Sequence, residues 1–270
     1  MNTRPEILFP LFAELNTLTG VGDKSAKAFA GLKITRPRDL IFPLPHSVVD
    51  RRVVHSIHGL TAPQTISVRV RVVKHVPARG RGKPYRIIVE DTQCIIELIF
   101  FHARGDYLER ILPLGEERLI SGKLEVFDHR AQMVHPEYIL WPEAQDELPQ
   151  FEPVYPLTAG VSGKLMGKAV RAALDKLPNL HEWIEPSVLR DNGWPDFTTA
   201  VRQSHAPKGA ADVAAYSPAR ARLAYDEFLA HQLTKAIART QARVKTGRIT
   251  AGTGDLQRKV LEQLPYAPTG

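Results

Sequence analysis

The sequence predicts an α+β protein, with a five-stranded β-barrel between an N-terminal helical segment and a long C-terminal helix. Three observations carry that reading. Apolar and polar residues alternate over 66–73, the period of a strand with one buried face. Four more strand-like segments follow before residue 140, with one helix candidate among them. A helical apolar stripe then starts at Ser217-Pro218.

Composition sets the outer limits. A chain of 270 residues holds one large or two modest domains, and a 43% hydrophobic fraction fills a real core. There is no apolar run of membrane-spanning length and no signal-peptide core, so no membrane partner is expected. A single cysteine, Cys94, excludes an intramolecular disulfide framework and makes a reducing, cytoplasmic location the expectation. Its apolar surroundings mark Cys94 as a small core residue rather than a nucleophile.

The net charge is +7, and its distribution is uneven. Residues 51–89 contain no Asp or Glu but hold Arg51, Arg52, Arg69, Arg71, Lys74, Arg79, Arg81, Lys83 and Arg86. Such segregation builds a field that attracts polyanions, although a solvated basic face gives the same pattern. Residues 131–163 lack Lys and Arg and carry Glu143, Asp146, Glu147 and Glu152.

The elements follow in order. Residues 5–15 read as a helical turn or two, limited or kinked by Pro10. Next, Leu18-Thr19-Gly20-Val21-Gly22-Asp23-Lys24 leads into a helix carrying Ala26, Phe29 and Ala30. This matches the hairpin of a helix–hairpin–helix element, where glycines bring backbone N–H groups to a phosphate. Gly20, Gly22 and Lys24 are therefore candidate DNA contacts, but a purely structural turn fits equally well. Residues 34–52 hold a short helix and a Pro-rich exit.

In the first strand Ile66, Val68, Val70 and Val72 face inward, and Ser67, Arg69, Arg71 and Val73 outward. A loop over 77–84 leads to a second strand at 85–90 and a third at 94–101. A helix candidate at 105–112 precedes strands at 118–127 and 132–140. Five strands with a helix between the third and fourth is the order of an OB-fold, whose second and third strands commonly bind nucleic acid.

Residues 142–152 are acidic and Pro-containing, a linker or a strap across the barrel. Short helices are expected over 162–178 and 186–204. The last long helix starts with Ser217 as N-cap and Pro218 at the first helical position. It carries Tyr225, Leu229, Leu233, Ala236 and Ile237 on one stripe and ends at Gly247. Arg239, Arg243, Lys245 and Arg248 suit its C-terminal dipole without invoking DNA. The expected domains are 1–52 (helical), 53–145 (barrel), 146–215 (linker and short helices), 216–262 (connecting helix) and 263–270 (the start of a further domain).

Several chemistries are excluded. Gly163-Lys164-Leu165-Met166-Gly167-Lys168-Ala169 is not a P-loop. Its glycines are too close together, and Ala169 stands where Ser or Thr ligates magnesium. The Arg-Gly-Arg-Gly-Lys-Pro run at 79–84 fails at Pro84. No zinc-like spacing and no nucleophile elbow is present.

Several segments, in family order, resemble one family, the RecG-type branched-DNA helicases. LTGVGDKSAKAFAGLKITRPRDLIFPLPHSVVDRR resembles the family's opening, with its glycine hairpin and DLLFHLPxxYxDR. ELIFFHARGDYLER is similar to its FFN…YL segment, LISGKLEVFDHRAQMVHPEYIL to VSGKVE…QMVHPEY, and PVYPLTAG to PVYPLTEGLS. ARARLAYDEFLAHQL resembles its ARRRLAFEELLALQL helix, and LPYAPTG its LPFxLTGAQ, the threshold of the first motor domain.

The resemblance implies a wedge OB-fold that seats a replication fork or Holliday junction and splits duplex at the branch. It also implies two superfamily-2 motor domains in cis, using ATP and magnesium, in a parent protein acting in recombination and repair. The chain given stops before any motor motif, so no catalytic residue and no cofactor site is expected in it. Alone it should hydrolyse no ATP.

By resemblance Phe101 is an exposed ring that stacks on a base, and Tyr107 supports the other arm. Phe100 and Phe101, adjacent on a strand, face opposite ways, so one is expected in the core. Arg79, Arg81, Lys83 and Arg86, with Arg69 and Arg71, are expected to track phosphates. Two departures stand out: His102 replaces the family's Asn, and the Phe-to-Tyr spacing is longer than usual. A stand-alone OB-fold binding module and a protein-interaction domain remain as other readings.

Overall fold

The computed structural model describes residues 4–78, 80, 82–128, 130–243 and 252–266. Among them run the strands β1 (Ser47–Asp50), β2 (Val53–Val54), β3 (Gln64–Val76), β4 (Tyr85–Glu90), β5 (Ile95–Phe100), β6 (Glu117–Phe127), β7 (Arg130–Val134), β8 (Tyr138–Leu140) and β9 (Phe151–Val154). The α-helices are α1 (Asp23–Phe29), α2 (Arg38–Ile41), α3 (Gly105–Ile111), α4 (Gly163–Leu174), α5 (Pro186–Asn192), α6 (Phe197–His205), α7 (Pro218–Arg243) and α8 (Asp255–Gln263). The chain divides into two compact units, 1–223 and 224–270.

The barrel closes in the order β3–β4–β5–β7–β6, with β6 pairing back onto β3. The β5–β7 pair is parallel and the others antiparallel. With α3 between β5 and β6, this is the OB-fold connection that the strand count predicted. One long strand makes the closure possible. β3 pairs with β6 over 64–71 and with β4 over 71–76. The register slips between Val72 and Lys74, a bulge that bends the strand from one partner to the other.

The alternation read from sequence places Ile66, Val68, Val70 and Val72 in the barrel core. They pack with Ile87, Val89, Ile96, Leu98, Ile120, Leu124 and Met133, joined by Leu108 of α3 and Leu112 just after it. Cys94 packs half-buried against this cluster. Ser67 departs from the alternation. Predicted to face solvent, it is fully buried, because its hydroxyl bonds Ser121 Oγ at 2.8 Å beneath Arg51.

The expected strand over 132–140 is two strands instead. His135 takes a left-handed backbone (φ 46°), and Pro136 has no N–H for a ladder, so the chain breaks between β7 and β8. Opposite the break, Gly122 is obligatory: a Cβ there would lie 2.8 Å from Met133 Sδ and 3.2 Å from Pro136 Cα. The helix expected over 186–204 is likewise split into α5 and α6. Gly193 closes α5 in the left-handed region (φ 63°), and Pro195 follows.

A second core lies beside the barrel. Leu11, Leu15, Leu18, Val21, Phe29, Leu40 and Ile41 pack with Tyr155, Val161, Met166, Ala169, Val170 and Val201. The N-terminal turns at 6–12 and 15–17 are 3-10 rather than α-helical, with Pro10 inside the first. His205 is buried in this unit between two partners. The Ile41 carbonyl only accepts, so Nε2–H donates to it at 2.9 Å, and Nδ1 accepts from the Tyr155 hydroxyl at 2.9 Å. Burial pushes His205 below the usual histidine value and Tyr155 above the usual tyrosine value.

The acidic segment joins these two cores. β9 pairs antiparallel with β1, Ser47 opposite Val154 and Asp50 opposite Phe151. Arg51, directly after β1, is 2% exposed. Its Nε donates to Glu152 at 2.5 Å and its Nη1 to Ser121 Oγ at 2.9 Å, and it also pairs with Glu137. Its guanidinium lies 5.0 Å from the Tyr138 ring centroid. Tyr138 donates its hydroxyl to Glu152 at 3.0 Å, and burial together with that carboxylate pushes its pKa up to about 12.

In the second unit, Leu233 and Ile237 on α7 and Leu256, Val260 and Leu261 on α8 are exposed. The described part of α7 ends at Arg243. Lys245, Gly247 and Arg248, assigned from sequence to its last turns, lie outside the described residues. At the helix start, Ser217 Oγ donates to the Asp212 carbonyl, and its own carbonyl accepts from Ala221 N–H.

Two outcomes follow from these contacts. Arg51→Ala leaves Glu152 and Ser121 without their shared donor, so it should cost about 2–4 kcal/mol of stability, read as a shifted urea midpoint. A loss below about 0.5 kcal/mol, the range of ordinary surface changes, would rule the cluster out as a structural tie. For His205 the folded pKa is depressed, so the unfolded chain binds more protons below the reference value of 6.5. Its contribution is complete above that pH and declines as pH falls. Urea unfolding between pH 7.5 and 5.5 should show stability dropping in the wild type and a shallower drop in His205→Gln. Equal slopes would mean His205 is protonated alike in both states.

Candidate nucleic-acid interface

The end of β5 sets the geometry of the face. Phe100 and Phe101 point to opposite sides, as adjacent strand residues must. Phe100 lies in the barrel core, and Phe101 is 43% exposed. The chain then turns at His102 in a left-handed conformation (φ 58°). That explains the first departure from the family pattern: Asn and His are among the few residues that tolerate this region. After the turn α3 presents Tyr107, 49% exposed, with the Arg110 guanidinium 5.7 Å from its ring centroid.

Phe101 and Tyr107 line one open cleft of about 890 Å³, together with Arg104, Arg110, His135 and Pro136. The Phe101 N–H donates to His135 Nε2 at 3.1 Å, and the two rings lie 5.9 Å apart. His135 also meets Phe100 edge-on at 5.9 Å.

The β3–β4 loop approaches from the other side. Its base is pinned by His75, whose Nε2–H donates to the Leu112 carbonyl at 2.8 Å and whose Nδ1 accepts from Tyr85 Oη at 3.0 Å. Gly82 and Lys83 line a smaller concavity of about 190 Å³ with Phe101 and His102. Thus Lys83, Phe101 and Tyr107 border one continuous face. Arg79 and Arg81 lie outside the described residues.

Arg86 stands on β4 with a half-exposed side chain, 4.0 Å from Glu97, which also pairs with Arg130 at 3.1 Å. Arg69 and Arg71 belong elsewhere. They line a separate cleft of about 700 Å³ with Glu90, Asp91 and Glu117. There Arg71 meets Glu117 at 3.6 Å and Arg69 donates to Gln145 at 2.5 Å. Gly20, Gly22 and Lys24 sit on the helical core. Gly20 is left-handed (φ 84°), and the Lys168 side chain crosses it so closely that a Cβ would lie 2.2 Å from Cε. α1 itself begins at Asp23, with Gly22 as its N-cap.

The acid-free run is therefore not acid-free in space. Arg51 is buried against carboxylates and Arg52 pairs with Asp50 at 2.6 Å. Sequence reasoning also passed over Arg104, Arg110, Arg130 and His135. Arg110 was accessible to it, standing one helical turn after Tyr107. His135 lay inside the quoted QMVHPEY resemblance, with nothing in its spacing to bring it to Phe101. Among the described residues no His/Cys/Asp/Glu group is arranged to hold a metal ion, and no helix is long and apolar enough to cross a membrane.

A closed five-stranded barrel in this strand order, with a helix between its third and fourth strands, defines the class of OB-fold proteins. Within that class the chain belongs to the RecG wedge domain family, whose model matches residues 14–177. The ATP-dependent DNA helicase RecG of Escherichia coli strain K12 is 28% identical over 267 residues, covering 95% of this chain and 38% of that protein. The RecG of Aquifex aeolicus is 23% identical, covering 98% of this chain and 34% of that protein. The chain thus spans little more than a third of the length of these relatives. Among solved structures, RecG bound to a three-way DNA junction superposes with a TM-score of 0.68 at 22% identity, covering 100% of this chain and 36% of that one. That likeness is one of fold.

The opposite packing of the two rings has a direct consequence for stability. Phe100→Ala should lose about 3–5 kcal/mol, the range for a core phenylalanine, and Phe101→Ala about 1 kcal/mol or less. Paired denaturant curves measure both. Equal losses would place Phe101 in the core as well.

Proposed function

We propose that this chain is the branch-recognising wedge region of an ATP-dependent DNA helicase. In this reading it seats forks and Holliday junctions, while superfamily-2 motor domains in the same polypeptide draw the duplex using ATP and magnesium. The observation that carries the reading is the exposed Phe101 ring, bordered by Lys83 and Tyr107 on one face of the barrel. Membership of the wedge family supports it.

The chemistry divides in two. The cations Lys83, Arg86, Arg79 and Arg81 hold phosphates of any duplex and carry no branch information. A flat ring acts only where a base has lost its stacking neighbour, and there it replaces that contact. Such stacking contributes about 1–3 kcal/mol per base and tolerates any sequence. Recognition is then of branch shape rather than sequence. Arg69 and Arg71, on their separate cleft, serve a second strand or arm; Gly20, Gly22 and Lys24 contact the backbone from the helical core. The barrel over 53–145 is the wedge proper, acting in recombination and repair in the cytoplasm.

Phe101→Ala should reduce fork binding about ten- to a hundredfold at fixed salt while sparing linear duplex. Tyr107→Ala should act in the same direction and less. Replacing Arg79, Arg81 and Lys83 together with Ala should weaken duplex and fork alike and flatten the log–log salt dependence, by roughly 0.9 per lost duplex phosphate contact. A fork-to-duplex ratio untouched by Phe101→Ala in folded protein would leave a generic OB-fold binder.

A further inference from the structure

We infer that His135 is the positioning residue for Phe101, holding that ring at the branch through a neutral imidazole whose Nε2 accepts the Phe101 backbone N–H. This inference rests on the reading of Phe101 as the fork-facing ring and adds the group that fixes its direction.

Phe101 lies just past the end of β5, where ladder pairing stops. The parallel partner β7 also ends there, at Val134. Past that point, two bonds tie His135 to β5. Its own N–H donates to the Ile99 carbonyl at 2.9 Å, and its Nε2 receives the Phe101 N–H at 3.1 Å. The left-handed backbone at His135 (φ 46°) turns the side chain back onto the strand it has left. The imidazole sits between two phenylalanines, edge-on to buried Phe100 at 5.9 Å and tilted 39° to exposed Phe101 at 5.9 Å. One side chain thus links the core ring to the exposed ring and supplies the acceptor that the broken ladder lacks. An exposed ring without such a hold would sample several rotamers, and ordering it on DNA would cost affinity.

The hydrogen bond fixes the protonation state. A backbone N–H only donates, so Nε2 carries the lone pair and the ring proton is on Nδ1. Protonation places a second N–H against the first and breaks the bond. The ionisable groups facing His135 across the cleft are His102 and Arg104 from the turn after β5, and Asp106, Tyr107 and Arg110 from α3. Glu137, two residues on, is engaged by Arg51.

The test uses the full 270-residue chain. Imidazole 15N shifts at pH 8 should show His135 as the Nδ1–H tautomer; the Nε2–H tautomer overturns the proposal. His135→Asn keeps tolerance of the left-handed backbone but is too short to reach the Phe101 amide. It should lower the fork-to-duplex ratio roughly two- to tenfold, the worth of one ordering hydrogen bond. His135→Gln places Oε1 the same number of bonds from Cβ as Nε2 and should restore the ratio. Adding His135→Asn to Phe101→Ala should lower it no further. A ratio indifferent to His135→Asn, in a protein where Phe101→Ala lowers it, overturns the positioning role. If Phe101→Ala itself leaves the ratio unchanged, the fork-facing reading has failed. The tautomer, and a Phe101 amide resonance displaced in DNA-free His135→Asn but not in His135→Gln, then decide the role of His135 alone.

Discussion

The arrangement depends on a buried guanidinium. Arg51 leaves β1, which belongs to the strap beside the helical core, and enters the barrel wall against Ser121. It meets Glu152 from the strap, and Glu137 and Tyr138 from the segment that follows the β7 break. A charge at 2% exposure is costly unless it is paired and hydrogen-bonded, and here all three guanidinium nitrogens have partners. The geometry this demands is specific. Ser67 must be small and polar where the alternation asks for a solvent-facing residue, and the strap must run antiparallel to β1. Burial of this kind adds little net stability compared with an apolar replacement, but it permits few alternative packings of strap on barrel.

That constraint extends to the candidate interface. Glu137 follows directly on the β7–β8 break, so the pairing that seats Arg51 also fixes the turn carrying His135. The break exists because Pro136 cannot join a ladder and Gly122 lets β6 pass close beneath it. The same irregularity that ends one strand therefore delivers an acceptor to the end of another. Two left-handed histidines, His102 and His135, flank Phe101, one on its own strand and one across the β5–β7 pair. Two left-handed residues thus bracket the exposed ring, while the regular ladder lies behind it.

Much of the barrel was legible because it obeys period two. Ile66 to Val72, the second and third strands and the α3 position follow from alternation and turn residues alone. What the sequence concealed depends on contacts distant along the chain. Ser67 is buried by residues from 51 and 121, and Arg51 is neutralised by residues 86 and 101 positions later. The exposure of Phe101 over Phe100 is a matter of phase that alternation left open, and the family resemblance supplied the choice. His135 reaches Phe101 across 34 residues through a parallel pairing. Parallel neighbours share no hairpin, so no local signal announces them.

Charge shows the same gap between line and space. Counted along the chain, residues 51–89 are a block of cations. Folded, the antiparallel partners of β3 and β4 bring Glu117 to Arg71 and Glu97 to Arg86. Exposed pairs of this kind are weak and exchange readily, so a phosphate can displace the carboxylate from its guanidinium. The outcome depends on stoichiometry. Glu97 is shared by Arg86 and Arg130, one carboxylate between two guanidiniums, which leaves net positive charge on that stretch of wall. Lys74 and Lys83 have no carboxylate within 4.0 Å among the described residues. Arg71 faces its own acid in a cleft that Glu90 and Asp91 also line. Carboxylates thus crowd the cleft below β3, while Lys83, beside Phe101, has none within 4.0 Å among the described residues.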